Sequence, residues 1–340
     1  MRLRTLLALC VAVLLVACSS EDTPTKQPAE PLQGFACGAD ISWTTQLESE
    51  GYEFYDSVGE KRECTALMKQ LGMNSIRLRV WVDPEDGWCG KADVVNKARR
   101  AKAQGMRLMI DFHYSDSWAD PSQQTPPKAW RGADLEELKV LVSNHTKEVL
   151  NTLKSEGVDV EWVQVGNETS NGMLWPVGKC DTSPAAYVAL HNAGYDAVKS
   201  VYPEAKIVVH LHNGYDLGLY EWLFGVLERE GARYDLIGMS LYPPINWRLK
   251  AEQTISNIKT LYERFGKRTI VCEVGMPWDA AEECYDFLSY MLFNAQDSGC
   301  CDGLFYWEPE APAGFNGGYT LGAFANGRPT HALDAFSALK

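Results

Sequence analysis

The chain has 340 residues, of which 46% are hydrophobic and 23% are charged. This composition can bury a large interior, so the sequence predicts a folded globular protein rather than a disordered one. The formal net charge of −13 at pH 7 disfavours nucleic acids and polyanionic substrates such as pectate as partners, because like charges repel. A neutral polymer meets no such repulsion.

The first 33 residues read as an export signal followed by a tether. Arg2 and Arg4 precede an apolar run that ends at Ala17 and is too short to span a bilayer, as in a secretory signal peptide. The segment Leu15–Cys18 resembles the bacterial lipobox, in which the cysteine is acylated and becomes the new N-terminus. Residues 18–33 are polar and contain several prolines, a composition typical of a flexible tether.

We therefore expect a lipoprotein signal peptide at residues 1–17, a lipidated tether at 18–33 and a single domain at 34–340. More than one acyl chain on Cys18 would hold the protein stably at a membrane, which a single chain does not. The expected location is the outer membrane of a bacterium, with exposure at the cell surface. Ordinary cleavage and release of a soluble protein remains the alternative.

Short β-rich runs alternate with helical patterns along the rest of the chain, and eight of each can be counted. The predicted strands are Phe35–Ile41, Ser75–Trp81, Arg107–His113, Trp162–Asn167, Lys206–His212, Leu236–Tyr242, Thr269–Glu273 and Gly303–Trp307. The predicted helices are Glu60–Leu71, Ala92–Gln104, Asp134–Ser155, Pro184–Val201, Leu219–Glu228, Glu252–Phe265, Ala281–Asp297 and Thr330–Lys340. This alternation predicts an α/β fold, a (β/α)₈ TIM barrel. A doubly wound open sheet is the alternative, but no glycine-rich phosphate motif follows the first strand.

Each predicted strand offers a polar or aromatic side chain at its C-terminal end, where the active site of such a barrel is built. Taken singly, each side chain could simply stabilise a loop, but together they indicate a functional site. In strand order they are Asp40, Arg79, Asp111 with His113, Asn167 with Glu168, His210 with His212, Tyr242, Glu273, and Trp307 with Glu308. Because side chains alternate along a strand, Arg77 shares a face with Arg79. We expect Arg77 one layer deeper, in a buried pair with Asp111.

Glu168 and Glu273 each end a short apolar run, and they lie far apart in the sequence. Two acids at strand ends would converge at one end of the barrel, as in a retaining glycosidase, whose two carboxyl groups stand about 5 Å apart. We expect Glu168 to be the general acid/base and Glu273 the nucleophile. Asn167 could hold the sugar 2-hydroxyl, while Arg79 and Tyr242 would keep Glu273 ionised.

Longer motifs resemble glycoside hydrolase family 53, within clan A. They are residues 78–81, 111–121, 127–130, 165–168 and 306–309, and the resemblance runs from about Phe35 to Ala338. It implies an endo-β-1,4-galactanase that acts on the galactan side chains of pectin, as a monomer. The expected substrate-binding residues are Asp40, Arg79, His113, Tyr114, Trp118, Asn167, His212, Tyr242, Trp278 and Trp307.

Two loops depart from the family pattern. Glu273 is followed by Val-Gly-Met-Pro-Trp, where a Thr-Ala-Tyr-Pro-like stretch is expected, and Ile245 stands where an aromatic residue is more usual. These changes bear on product length rather than on the reaction.

Some family members carry calcium in an extended loop after strand seven. Here Trp278 runs almost directly into the next helix, leaving little room for an oxygen cage, so we expect no cofactor and no calcium.

Eight cysteines follow Cys18, and some should pair in an oxidising compartment, although the sequence cannot select the pairs. Cys272 precedes Glu273 and is expected to point away from the catalytic face.

Two other functions remain open. His210 and His212 could share an ion in a metal-dependent barrel hydrolase, or a glycan-capture lipoprotein could use the same tryptophans without needing either glutamate.

Overall fold

The computed structural model describes residues 34–338. The predicted signal peptide, the tether and the lipidation of Cys18 lie outside the described residues. Among the residues that are described, no helix combines the length and the apolar character needed to cross a membrane.

Eight parallel strands form a closed barrel in which the first strand pairs with both the second and the eighth. The predicted TIM barrel is therefore confirmed, and the open sheet is excluded. The strands are β1 Ala36–Asp40, β2 Ser75–Val80, β3 Arg107–Phe112, β4 Trp162–Val165, β5 Lys206–Leu211, β6 Leu236–Leu241, β7 Arg268–Val274 and β8 Cys301–Trp307. We call the end of the barrel at the strands' C-termini the mouth.

Seven α-helices in the described part of the chain alternate with the strands in sequence, and they lie on the outside of the barrel. They are α1 Cys64–Gln70, α2 Lys91–Ala103, α3 Leu135–Ser155, α4 Pro184–Val201, α5 Leu217–Arg229, α6 Arg248–Phe265 and α7 Ala281–Asp297. Local sequence sets several of their ends. Asp134 and Glu137 form a reciprocal capping box at the start of α3, and Gly266, at φ 65°, ends α6, a conformation that glycine adopts without strain.

The first and last predicted helices differ from the structure. Glu63 caps α1, accepting from the backbone N–H groups of Thr65 and Ala66, so the helix begins after a short hairpin rather than at Glu60. The predicted final helix is instead a 3₁₀ helix. The shorter elements are the helices Thr44–Ser49, Lys128–Trp130, Phe315–Gly318 and His331–Phe336, and the hairpin strands Phe54–Tyr55, Lys61–Arg62, Phe324–Ala325 and Arg328–Pro329.

An apolar plug fills the barrel below the mouth. Its centre is the edge-to-face pair of Trp162 and Phe305, whose ring centroids are 6.1 Å apart. A Cβ on Gly38 would lie 2.3 Å from the Phe305 ring, so this position on β1 requires glycine. The plug consists of Ala36, Met109, Trp162, Val208, Leu236, Ile270, Cys272 and Phe305. It supports the polar layer that lies above it.

Strand β7 is irregular at Cys272. Met239 of β6 is opposite Val271, whereas the next residue, Ser240, is opposite Glu273. A bulge of this kind adds one residue and re-aims the side chains around it. Cys272 therefore lies in the barrel plug, while Glu273 still reaches the mouth. The prediction that Cys272 points away from the catalytic face is wrong because it assumed regular alternation.

The predicted disulfide pairing is also wrong for the part of the chain that is described. Cys37, Cys64, Cys89, Cys180, Cys272, Cys284, Cys300 and Cys301 are all free, and all but Cys300 are buried. Two of them, for example, lie in different parts of the core: Cys272 is inside the barrel, whereas the thiol of Cys284 on α7 contacts the Tyr306 hydroxyl. Burial raises the pKa of the Cys284 thiol to about 12, which makes it a poor nucleophile for exchange.

Candidate active site

Arg77 is the centre of a buried polar layer at the mouth. Its guanidinium donates to Asp40 Oδ2 at 2.6 Å, to Asp111 Oδ2 at 2.8 Å and to Gln164 Oε1 at 2.5 Å. A fourth contact joins its Nη2 to Glu273 Oε1 at 2.8 Å. The predicted Arg77–Asp111 pair is confirmed. Because the side chain is only 1% exposed, these carboxylates are needed to compensate its charge.

Glu273 is held by one cation and two hydroxyl groups. Besides Arg77, Tyr242 donates to Glu273 Oε2 at 2.7 Å and Ser240 donates to the same oxygen at 3.4 Å. Burial raises the pKa of Glu273, while the charge of Arg77 and the hydrogen bond from Tyr242 oppose that rise. The prediction that Tyr242 contacts Glu273 is confirmed, but the expected cation was wrong. Arg77 has that position, because Arg79 is engaged elsewhere.

Glu168 follows β4 in a strained conformation, with φ at 43°, which is unfavourable for a residue with a side chain. Such strain is maintained where the surroundings over-determine it, often at functional sites. One carboxylate oxygen of Glu168, one of Glu273 and one ring nitrogen of His210 lie within 4.8 Å of one another. Burial, together with the negative charge of Glu273, raises the pKa of Glu168 to about 8.

His210 connects the polar layer to Glu273. The side-chain oxygen of Gln164 accepts a hydrogen bond from Arg77. The amide nitrogen of Gln164 therefore faces His210 and donates to Nδ1 at 2.7 Å. That assigns the proton to Nε2, which lies 2.8 Å from Ser240 Oγ and donates to it. Burial and the nearby charge of Arg77 hold the pKa of His210 well below its usual value, so the ring is neutral.

The predicted metal alternative placed one ion between His210 and His212. His210, Glu168 and Glu273 are close enough to offer three ligand atoms, but both nitrogens of His210 already have hydrogen-bond partners. His212 is not part of this group, and its Nδ1 lies 2.6 Å from the Ser170 hydroxyl. The two imidazoles therefore have separate partners and do not share a site.

Asn167 is fixed on three sides. Its Oδ1 accepts from Arg77 at 3.0 Å, its Nδ2 donates to the Ala119 carbonyl at 2.8 Å, and its own carbonyl accepts from Gln124 at 2.9 Å. The amide orientation is thereby set. One N–H hydrogen of the amide is not used in these bonds, and Asn167 is adjacent to Glu168 in the chain.

Four of the predicted substrate-binding side chains are buried. Asp40 bonds to Arg77 and Ser42. Arg79 pairs with Glu308, and His113 Nε2 lies 3.0 Å from Asp111 Oδ2. Tyr114 stacks on Phe112 and bonds through its hydroxyl to Thr146 at 2.8 Å. Asp40, Arg79, His113 and Tyr114 have at most 3% of their surface exposed, so little of each side chain is accessible to a substrate in this structure.

Five other predicted residues have exposed surface. Trp278 is 43% exposed, and its backbone N–H bonds to the Thr320 carbonyl. The other four, Trp118, His212, Tyr242 and Trp307, are half-buried. The Trp307 ring lies 6.3 Å from the ring of Tyr242, the residue that donates to Glu273. A broad aromatic surface therefore adjoins the paired glutamates, and such faces suit the C–H face of a sugar ring.

Sequence reasoning missed Gln164, Ser240 and Tyr319. Gln164 and Ser240 had a detectable signal, since each is a polar residue inside an apolar strand of the barrel. Tyr319 had none. It lies in the long segment after β8, yet its ring is 5.1 Å from that of Trp307 and its hydroxyl donates to the Trp307 carbonyl at 2.6 Å.

Comparison with known proteins agrees with this geometry. Residues 36–290 match the model of Glycosyl hydrolase family 53. A relative from Aspergillus fumigatus described as "Probable arabinogalactan endo-beta-1,4-galactanase A" is 36% identical over 296 residues, covering 80% of this chain and 83% of that protein.

Two solved structures share the fold closely. One, from a study of two fungal beta-1,4-galactanases, has a TM-score of 0.83 and 28% identity, and the match covers 89% of this chain and 99% of that one. The "Ignisphaera aggregans GH53 catalytic domain" has a TM-score of 0.81 and 30% identity, with 90% and 98% coverage. The chain belongs to glycosyl hydrolase family 53.

Proposed function

We propose that this chain is an endo-acting retaining glycoside hydrolase that cleaves β-1,4-galactosidic bonds in galactan and in the type I arabinogalactan side chains of pectin. The substrate class follows from the relatives described as arabinogalactan endo-beta-1,4-galactanases. The observation that carries the mechanism is the approach of Glu168 and Glu273 to within 4.8 Å. Retaining enzymes place these groups about 5–5.5 Å apart, whereas inverting enzymes need about 6.5–9.5 Å for an intervening water.

The two acids have environments suited to different roles. A pKa of about 8 keeps the proton on Glu168 at neutral pH, so Glu168 is the general acid. The positive charge of Arg77, 2.8 Å from Glu273, and the hydrogen bond that Tyr242 donates favour the charged form of Glu273, so the single proton shared by the two acids lies on Glu168. Glu273 is therefore the nucleophile.

In the first step, Glu273 attacks the anomeric carbon while Glu168 transfers its proton to the leaving glycosidic oxygen. The bond to that oxygen breaks, and a covalent glycosyl ester forms on Glu273. In the second step, Glu168, now a carboxylate, takes a proton from a water molecule whose oxygen attacks the same carbon. The ester bond breaks, Glu273 leaves as a carboxylate, and Glu168 is protonated again.

The charge of Glu273 couples the two steps. That charge contributes to the raised pKa of Glu168, and it disappears when the ester forms. The pKa of Glu168 then falls, so the same residue that was an acid in the first step is ready to be a base in the second. Asn167, whose amide orientation is fixed by Arg77 and Ala119, is placed to donate its remaining N–H hydrogen to the sugar 2-hydroxyl.

Parallel digestion of linear β-1,4-galactan, arabinogalactan and cellulose tests the substrate and the endo action. We expect reducing ends from the first two polymers, with a rapid fall in chain length rather than release of galactose alone. The glycan-capture alternative predicts binding to galactan without any rise in reducing ends. Cleavage of cellulose in preference to galactan would refute the proposed substrate.

The lipid anchor and the location stay proposals from the sequence. We propose a monomeric lipoprotein anchored through Cys18 to the bacterial outer membrane, with exposure at the surface. Gly34, the first described residue, precedes β1 and so lies at the end of the barrel opposite the mouth, where its carbonyl accepts from Arg107 at 2.6 Å. A tether leaving from that end would direct the mouth away from the membrane. Labelling with a radioactive fatty acid, lost in Cys18→Ala, tests the anchor.

A further inference from the structure

Two carboxylates in the segment after β8 hold the end of the loop after β1 and the start of the helix Thr44–Ser49. Glu308 Oε2 accepts from the backbone N–H of Trp43 at 3.0 Å, and Glu310 Oε1 accepts from the Thr44 hydroxyl at 3.1 Å. Both glutamates are buried, at 0% and 2% exposure. Because β1 and β8 are neighbours in the barrel, these bonds fix the two loops to each other at the mouth.

Arg79 forms an ion pair with Glu308, one of the two glutamates that hold the loops together. Its guanidinium carbon lies 5.0 Å from the centroid of the Trp43 ring, 5.3 Å from that of Trp81 and 4.6 Å from that of Trp118. Within the described residues, Arg79 Nε and Nη2 have no hydrogen-bond partner. Three indole rings therefore surround this buried cation together with Glu308 and Asp40, whose Oδ1 lies 4.0 Å from Arg79 Nη1, and attraction to the cation favours one position for each ring.

The rings held in this way extend to the exposed surface. Trp43 lies at the centre, with its ring 5.8 Å from that of Trp118 and 5.3 Å from that of Trp307. We call Trp43, Trp118 and Trp307 the tryptophan cluster. Trp43 is buried, whereas the other two are half-exposed. Trp307 in turn contacts Tyr242, so the exposed faces adjoin Glu273.

We propose that Glu308 and Arg79 form a positioning pair, which sets the tryptophan cluster so that its exposed faces stack on a galactose unit next to the cleaved bond. The pair itself does not touch the substrate. This inference rests on the proposed function, because it assigns the sugar-binding surface of that same site. Burying an ion pair gains little stability over apolar residues of similar size, so a role in positioning gives this pair a reason to be charged.

The double variant Arg79→Met/Glu308→Leu tests the proposal, because it removes both charges together and leaves neither one buried alone. We expect KM for galactan to rise about tenfold, the equivalent of about 1.4 kcal/mol of binding. The value of kcat should change by less than about threefold, because the lost contacts bind the ground state and the transition state equally. In a Glu168→Gln background, affinity for galactan oligosaccharides should fall by the same factor. Near-UV circular dichroism should change as the indole rings move.

The control is Glu161→Gln, which breaks the ion pair with Arg107 at the opposite end of the barrel and should leave KM unchanged. If the double variant does not fold, Glu308→Gln replaces it. The amide oxygen still accepts from Trp43, but the charge opposite Arg79 is lost, so a smaller rise in KM is expected. A folded variant with unchanged KM overturns the positioning role, whatever its melting temperature. If the wild type releases nothing from galactan, the proposed function fails, and the dichroism of the indole rings still decides whether the pair positions them.

Discussion

Arg77 Nη2 lies 2.8 Å from Glu273 Oε1, and the arginine side chain is 1% exposed. The same guanidinium binds Asp40 and Asp111, so it has a fixed position before any substrate arrives. Glu273 is thus joined to a rigid, buried ion network rather than to a mobile surface charge. In a site of this kind, the charged form of the nucleophile is favoured without reorganisation during the reaction.

Arg77→Met should strongly destabilise the protein. The substitution leaves three buried carboxylates, of Asp40, Asp111 and Glu273, without their shared cation. Removing one partner of a buried ion pair costs about 3–5 kcal/mol, and we expect a loss in that range from denaturant unfolding. Arg107→Met, at the other end of the barrel, removes a partly exposed ion pair and should cost much less. Equal losses in the two variants would contradict the central role of Arg77.

Substitution of the two proposed catalytic acids should separate their roles. Glu168→Gln removes the transferable proton and should lower kcat by roughly 10²–10⁴-fold while galactan binding persists. Glu273→Ala removes the nucleophile and should abolish turnover. Reducing-end assays and isothermal titration measure the two effects, and normal turnover in either variant would refute the assignment of that residue.

Tyr242→Phe removes one hydrogen bond to Glu273 and leaves the aromatic ring in place. A hydrogen bond to a charged group contributes about 1.5–3 kcal/mol, so kcat should fall roughly ten- to a hundredfold. Because Tyr242 lowers the pKa of Glu273, its loss raises that pKa. The acidic limb of the pH–rate profile should therefore move to higher pH. A profile that stays in place would show that Tyr242 does not tune the nucleophile.

The alkaline limb of the same profile should report Glu168. The first step needs Glu168 protonated, and burial with the charge of Glu273 raises its pKa to about 8. Activity should thus be retained at neutral pH and lost as pH rises through about 8. Glu168→Gln should remove this limb from whatever activity remains. An enzyme already losing activity below pH 6 on the alkaline side would contradict the proposed state of Glu168.

The barrel and the two glutamates could be predicted from the sequence because both depend on local signals. β-rich runs alternate with helical patterns along the chain, and polar residues mark the strand ends. The buried Arg77–Asp111 pair could also be predicted, but the partners of the two arginines among the glutamates could not. Arg77 and Arg79 share one face of β2, but only the stagger of the closed barrel places Arg77 against Glu273 and Arg79 against Glu308.

The other errors have equally local causes. The bulge in β7 adds one residue, so Cys272 and Glu273 are not on opposite faces as regular alternation requires. The sequence of β7 contains no glycine or proline from which the bulge could have been predicted. The partners of Trp43 could not be predicted either, because Glu308 lies 265 positions away in the chain and reaches it only when β8 closes the barrel against β1.

The anomeric configuration of the first products tests the central claim most directly. Glu168 and Glu273 approach within 4.8 Å, which places Glu273 for direct attack on the anomeric carbon and leaves no room for a water molecule between Glu273 and that carbon in the first step. Proton NMR of galactan during the first minutes of hydrolysis should therefore show the β anomer at the new reducing ends, followed by slow mutarotation. Initial release of the α anomer would contradict the double displacement.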